Sequence, residues 1–280
     1  MEQINELPEL PGVYFFYDQS DKLIYIGKSI HIKSRVKQHF SGKDRKSLKI
    51  QHATKRIAYE VMGSELIALL YESDLIKKHQ PLYNRSQRRI VYQYGLYLEE
   101  QHGYKSLRIA RITTNGNEVT CFSSMQEAKT TLYRITEQYG LCQKINGLYK
   151  TTNTCFQYYI KSCNGACIGK EPAELYNARV DDFLNKTVID KFTHLFEVPG
   201  RSEHEKGLVY IENGVYKGFG FCSIEQQVTG DYLNFITPYP DNKDVRRIVM
   251  RYLIQHGTLS LAPNGKHADK PATSCGEIGA

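Results

Sequence analysis

Two runs of β-branched and aromatic residues, Val13–Tyr17 and Lys22–Ile26, flank the polar tetrad Asp18-Gln19-Ser20-Asp21 and predict a β-hairpin. Gly27 is read as the end of the second strand, and Ser29 as the cap of a helix with Ile32, Val36 and Phe40 on one face. From about Ser64 to His79 the stripe Leu66, Leu69, Leu70, Ser73 and Ile76 predicts a second helix, which Pro81 stops. The basic stretch Arg85–Arg89 leads into weaker strands over 90–122 and a helix over 124–139. A cysteine-rich segment, Cys142–Cys167, precedes a helix over 171–185. Leu208–Ile211 and Val215-Tyr216 flank Asn213-Gly214, the strongest short hairpin signal. Val245, Ile248, Val249, Tyr252 and Leu253 give an amphipathic helix from Asp244 to His256. Beyond Leu261 the chain turns polar and rich in Gly and Pro, a composition that favours disorder. No internal repeat is present.

These elements mix helices with small antiparallel sheets, an α/β (α+β) class. The expected organisation is a compact α/β unit at 1–90, a cysteine-rich region at 91–185, a small α/β region at 186–258 and a disordered tail at 259–280.

Charge adds a partner to this picture. Lys plus Arg number 37 against 30 for Asp plus Glu, a net charge of +7. The excess is concentrated: Lys22–Arg56 holds eleven basic residues and a single acidic one, Asp44. Solvated charged faces normally mix signs, so a one-signed run of this length fits a phosphate backbone. Lys33, Lys37, Arg45, Lys46, Arg85, Arg88 and Arg89 are the candidate DNA contacts. No apolar run reaches the roughly 18 residues of a membrane span, and the N-terminus has no secretory pattern. The expectation is a cytoplasmic, reducing setting without membrane association, in which seven cysteines do not form a disulfide framework.

The first unit also carries candidate chemistry: Tyr14 and Tyr25 on paired strands, Lys28, Arg35 and His39 on the first helix, and Glu72 on the second. Phosphodiester hydrolysis needs a metal ligand, a base for water and a cation for the charge that develops on phosphorus. Singly, each residue has a plainer reading, as cross-strand packing, an exposed helix face or a half-buried carboxylate. Only Asp44, Glu60, Glu65, Glu72 and Asp74 are acidic between Lys22 and Asn84, which favours one metal ion over two. A tyrosine base is costly: with a free pKa of about 10, its ionisation at pH 7 takes roughly 4 kcal/mol. The residues leave the choice between Tyr14 and Tyr25 open.

In order along the chain, Pro11-Gly12-Val13-Tyr14, Tyr25-Ile26-Gly27-Lys28, Arg35, Glu72 and Pro81-Leu82-Tyr83-Asn84 resemble the GIY-YIG nuclease module. The resemblance implies Glu72 as the sole protein ligand of one Mg²⁺ or Mn²⁺ and Arg35 as stabiliser of the pentacovalent phosphate. It implies that Tyr14, Tyr25 and Lys28 position and activate water and that Asn84 supports the site. His39 stands where relatives carry Tyr or His. Farther along, Cys142, Cys155, Cys163 and Cys167 are spaced C-x12-C-x7-C-x3-C, which suits a Cys₄ metal site without naming the metal. The polar segment between Cys142 and Cys155 is expected to need that ligand to hold it in place.

Thr154-Cys155-Phe156, Lys161-Ser162-Cys163-Asn164-Gly165-Ala166-Cys167 and Gly169-Lys170-Glu171 resemble the cysteine segment of the UvrC/Cho excision-repair family, and most its short branch, as do Tyr25–Ser29 and Arg88-Arg89. What this implies is a 4Fe-4S cluster on the four cysteines, with Zn²⁺ as the alternative. It also implies double-stranded damaged DNA as substrate, 3′-side incision, and UvrA and UvrB as partners. Two other readings stand beside it: a mobile-element or restriction-type nuclease, and a non-catalytic DNA-binding or scaffold module derived from the same domain.

Overall fold

The computed structural model describes residues 2–85, 92–112, 117–150, 155–187, 193–225, 232–256 and 260–261, and three antiparallel sheets organise them. Helix α1 (Glu2–Asn5) leads into β1 (Gly12–Tyr17), which lies between β2 (Leu23–Ser29) and β3 (Arg56–Val61). Asp18 closes the predicted hairpin, its Oδ1 accepting the amides of Ser20 at 2.9 Å and Lys22 at 3.0 Å. Helices α2 (Ile32–Ser41), α3 (Arg45–Ala53) and α4 (Glu65–His79) complete the first unit. Alternation along β1 separates two cores. Val13 and Phe15 pack with Leu66, Ile67 and Leu70 of α4, while Tyr14 and Phe16 pack with Ile32 and Val36 of α2 and Ile50 of α3.

Several expectations change here. Strand β2 does not end at Gly27 but continues to Ser29, which pairs with Gly12. Ser29 is not the cap of α2: the N-cap is His31, without a side-chain cap, and the Ser29 hydroxyl bonds the backbone of His31 instead. The first amides of α2 go to the carbonyls of Leu10 and Pro8, so the preceding chain does the capping. After the predicted strand and helix, the basic run also contains α3, capped by Asp44, whose Oδ1 accepts the amides of Lys46 (3.0 Å) and Ser47 (3.1 Å). Its lone carboxylate is therefore spent on a cap. Strand β3 was likewise not anticipated. Helix α4 starts after the Ser64 cap and is buried on more than the predicted stripe, Ile67, Ala68 and Leu75 being buried as well. It turns out at Gln80, in the left-handed region (φ 48°), just before Pro81.

In the second sheet β4 (Tyr94–Gln101) lies between β5 (Tyr104–Arg111) and β6 (Thr120–Phe122). Helix α5 (Met125–Gln138), capped by Ser124, follows it, then the short α6 (Phe156–Tyr159) and α7 (Ala173–Thr187). The third sheet comprises β7 (His194–Pro199), β8 (Glu205–Glu212), β9 (Val215–Ser223), β10 (Ile236–Pro238) and β11 (Ser260–Leu261), in the order β10-β9-β8-β7-β11. Asn213 (φ 49°) and Gly214 (φ 76°) make the predicted tight turn between β8 and β9. Helix α8 (Lys243–His256) packs against α4, and one continuous core links α4 to the later sheets. Among the described residues no helix is long and apolar enough to cross a membrane. Arg88, Arg89, Thr154 and the tail beyond Leu261 lie outside the described residues.

Candidate active site and cysteine centre

Edge strand β2 carries Tyr25 and Lys28, and its outward backbone groups would lack partners in the sheet. Two side chains from elsewhere take them. Asn84, fully buried after α4, accepts the Ile26 amide through Oδ1 (2.9 Å) and donates Nδ2 to the Ile26 carbonyl (2.8 Å). Two residues on, the Lys28 amide donates to Glu72 Oε1 at 3.0 Å. The Lys28 ammonium is ion-paired with Glu65, the first residue of α4.

On the α2 side the Tyr14 hydroxyl lies 2.8 Å from His39 Nε2, and the rings of Tyr14, Phe16, Tyr25 and His39 pack within 6.0 Å of one another. The close crossing of Tyr14 over β2 explains Gly27: a Cβ there would stand 2.3 Å from the Tyr14 hydroxyl oxygen. Gly12 is similar, its Cβ position lying 2.2 Å from the Glu60 carbonyl oxygen. Arg35, exposed on α2, donates Nη1 to Gln38 at 2.9 Å. Lys46 of α3 lies over the Tyr25 ring, 5.3 Å from its centroid.

Burial raises both tyrosines, and Tyr14 well above its ordinary value. The two neighbouring phenols act on each other in opposite senses, Tyr25 raising Tyr14 and Tyr14 lowering Tyr25, while Arg35 lowers both and Glu72 raises both. Burial, with the cations Arg35 and Lys46, brings His39 down to about 4, so its imidazole is neutral at pH 7. Glu72 is a buried carboxylate, a hard oxygen donor of the kind that Mg²⁺ or Mn²⁺ takes singly alongside waters. The one grouping of three or more metal-ligating side chains among the described residues is formed by cysteines, so Glu72 stands outside any acidic cluster.

The structure thus brings Tyr14, Tyr25, Lys28, His39, Glu72 and Asn84 to one strand and its flanks, with Arg35 on the adjoining helix. Lys37, Arg45, Lys46 and Arg85 are exposed, whereas the Lys33 ammonium is tied to the Asn5 carbonyl at 2.7 Å. Behind Glu72, a cavity of about 140 Å³ between α4 and α8 is lined by Leu69, Ser73, Ile76, Tyr92 and Arg247 as well as Glu72 itself.

The sulfurs of Cys142, Cys155 and Cys163 all lie within 4.8 Å of one another, and Cys167 Sγ is 3.7 Å from Cys155 Sγ. All six described cysteines are free thiols, with Cys121 and Cys222 elsewhere in the fold. Burial raises Cys142, Cys163 and Cys167; for Cys155 it is outweighed by the Tyr158 amide and the neighbouring thiols, which lower it. Three mutually close soft donors, with Cys167 beside Cys155, fit a metal. The segment after Cys142 does not depend on such a ligand alone, contrary to expectation. Buried Asn146 accepts the Leu107 amide (2.7 Å) and donates to the Cys142 carbonyl (2.8 Å) and the Tyr176 hydroxyl (2.9 Å). Glu171, paired with Arg179 at 2.6 Å and Asn164 at 3.0 Å, holds the second cysteine loop. These polar supports went unnoticed in the sequence, where Asn146 reads as one more loop residue.

Residues 10–85 match the UvrC-like GIY-YIG domain, and residues 94–186, which include all four clustered cysteines, match the UvrC/Cho excinuclease middle domain. Excinuclease cho of Escherichia coli (strain K12) is 32% identical over 235 residues, covering 81% of this chain and 78% of that protein. The chain belongs to the UvrC/Cho excinuclease family. Excinuclease cho of Salmonella typhi is 34% identical over 187 residues, 65% of this chain and 63% of its own length. UvrABC system protein C of Lachnospira eligens is 29% identical over 276 residues, covering 92% of this chain but 44% of that protein. Family likeness therefore reaches past the middle domain into the third sheet. Among solved structures, the magnesium-bound N-terminal GIY-YIG endonuclease domain of UvrC from Thermotoga maritima is 32% identical, with a TM-score of 0.28, covering 30% of this chain and 92% of that domain.

Proposed function

We propose that this chain is a DNA endonuclease of nucleotide excision repair that hydrolyses one phosphodiester bond near a lesion, on its 3′ side. The observation that carries the reading is the convergence of the Glu72 carboxylate, the Tyr14–Tyr25 pair and neutral His39 on strand β2, beside exposed Arg35 and the basic α2–α3 face. Glu72 would hold a single Mg²⁺ or Mn²⁺, which supplies charge neutralisation at the scissile phosphate when bound. Arg35, exposed toward solvent, neutralises charge that develops on the phosphoryl oxygens. Tyr25 is the better base of the two phenols, because it is raised less by burial and the neighbouring Tyr14 phenol favours its ionised form. The mostly one-signed face of Lys37, Arg45, Lys46 and Arg85 would track the DNA backbone. The four cysteines would hold a metal centre whose role is structural. UvrA and UvrB as partners belong to this reading through the family.

The test is nicking of lesion-bearing duplex with Mg²⁺ or Mn²⁺. Wild-type protein cuts one strand, and Glu72→Gln abolishes cutting while leaving fold and DNA affinity in place. Arg35→Ala lowers the rate by about 10². Near-wild-type cutting by Glu72→Gln would overturn the one-metal site.

A further inference from the structure

Helix α6 points its apolar side at solvent. Phe156, Tyr159 and Ile160, at i, i+3 and i+4 on one face, are 58%, 70% and 53% exposed. The positions on either side are anchored: Cys155 and Cys163 are buried in the thiol cluster, so the short helix is held by its ends while its aromatic face stays outside. Exposed Tyr149 adds a further ring nearby in sequence. Charge around this face has one sign. From Cys142 to Lys170 there are four lysines, Lys144, Lys150, Lys161 and Lys170, and no Asp or Glu. Lys150, Lys161 and Lys170 are exposed, and Lys170 lies over the Tyr158 ring with its ammonium 2.6 Å from the Tyr158 hydroxyl. Of the flanking carboxylates, Glu171 is paired with Arg179 and Asp182 with Lys186.

We propose that Phe156, Tyr159 and Ile160 form a platform on which unpaired DNA bases stack, with Lys150, Lys161 and Lys170 holding the adjoining phosphates. Exposed rings with an apolar neighbour offer π faces that any base can use, and lysines without competing carboxylates suit a polyanion. A fully paired duplex hides its base faces, so the platform selects DNA whose stacking is already interrupted, as at a lesion. The metal-binding thiols then have a purpose beyond the middle region itself: they fix the platform at both ends. This inference rests on the reading of the chain as acting on damaged DNA.

The experiment compares two oligonucleotide duplexes, one fully paired and one with a short unpaired bubble carrying 2-aminopurine. Glu72→Gln is present in every protein so that cutting does not intervene. Phe156→Ala/Tyr159→Ala should weaken bubble binding by at least about tenfold, change fully paired binding little, and abolish the quenching of 2-aminopurine fluorescence that stacking produces. Tyr159→Trp, which keeps a π face, should preserve both affinity and quenching and so guards against a mere folding defect. Lys161→Ala and Lys170→Ala should each flatten the salt dependence of bubble binding by about one counterion. Equal weakening on both duplexes would reduce the patch to a backbone contact and overturn the stacking platform. Unchanged binding to both would assign the apolar face to a protein contact and overturn it as well. Nicking by the protein with Glu72 restored tests the nuclease reading separately, so the two can fail independently.

Discussion

The Tyr14 hydroxyl and His39 Nε2 lie 2.8 Å apart, and the surroundings decide the charge of the imidazole. Burial and the cations Arg35 and Lys46 keep the imidazole neutral down to about pH 4, against an ordinary value of 6.5. Between those values the unfolded chain binds a proton that the folded protein does not. The contribution of neutral His39 to stability is therefore complete above about pH 6.5 and is lost as pH falls toward 4. A ¹³C-resolved NMR titration should find the His39 midpoint near 4, and the incision rate should show no His39 step between pH 6 and 8. His39→Phe, which fits among Phe16, Tyr25 and Phe40 but cannot hydrogen-bond, should lower incision and remove that low-pH titration while leaving the fold intact. A midpoint near 6.5 would put a His39 protonation step inside the working range and would undo the assignment. The sequence marks His39 as a candidate twice, one helical turn from Arg35 and at a position of the motif. Its low pKa follows first from burial among the rings of Tyr14, Phe16 and Tyr25, then from Arg35 on its own helix and Lys46 on α3; spacing reveals Arg35 but neither the burial nor Lys46.

At the scale of elements, β2 is an edge strand whose exposed backbone has been enlisted by the site. Asn84→Ala would leave both the amide and the carbonyl of Ile26 unpaired in a fully buried position, at a cost of roughly 2–4 kcal/mol. Thermal or urea unfolding should show that loss, with incision falling too because β2 carries Tyr25 and Lys28. Asn84→Asp, which keeps the acceptor for the Ile26 amide but not the donor, should fall between. The hairpins, α4, α5 and α8 were legible because turn residues and apolar periods are local signals. Helix α3 and strand β3 were not, since Arg45–Ala53 reads first as charge and its cap, Asp44, as an isolated acid. The cysteine loops divide the same way. Their spacing was readable, but the role of Asn146 required knowing that Leu107 and Tyr176 come to meet it. Because Asn146 and Glu171 hold these loops independently, removing metal should loosen residues 155–170 more than 142–148. Hydrogen exchange with and without metal would measure this, and thiol alkylation should rise at Cys142, Cys155, Cys163 and Cys167 together. About four irons per chain in anaerobic protein would establish the cluster that the family implies, and one zinc the single ion that a group of neighbouring thiols also suits. No metal, with four freely reactive thiols, would refute the centre.

Across the whole molecule, the helix that bears Glu72 is held from behind by the far end of the chain. Helix α8 lies across α4, and Asp244 in its first turn takes both the Lys77 ammonium (2.5 Å) and the Tyr92 hydroxyl. Arg247 and Arg251 share Glu127 of α5, and Arg247 also donates to the Cys121 carbonyl at 3.1 Å, so α8 ties the second sheet to α4. The amphipathic period of α8 was plain in the sequence. Its docking site was not, because the partners Lys77, Tyr92 and Glu127 lie more than a hundred residues away, and α4 has one apolar face toward the sheet and another toward α8. The arrangement makes the helix of the proposed metal-binding carboxylate depend on a region remote from the nuclease motif. Asp244→Ala removes the shared acceptor of a half-buried lysine and tyrosine, and should cost about 1–3 kcal/mol in stability. It should also slow incision at saturating Mg²⁺ while leaving DNA affinity near wild type, since neither the basic face nor Glu72 itself is altered. Restoring an acceptor with Asp244→Asn should recover part of both effects. The deciding measurement is the single-turnover rate well below the melting temperature, where every molecule is folded. A slowed rate there means that α8 positions α4 for chemistry, whereas a wild-type rate with a lowered Tm would reduce α8 to a stabilising strut.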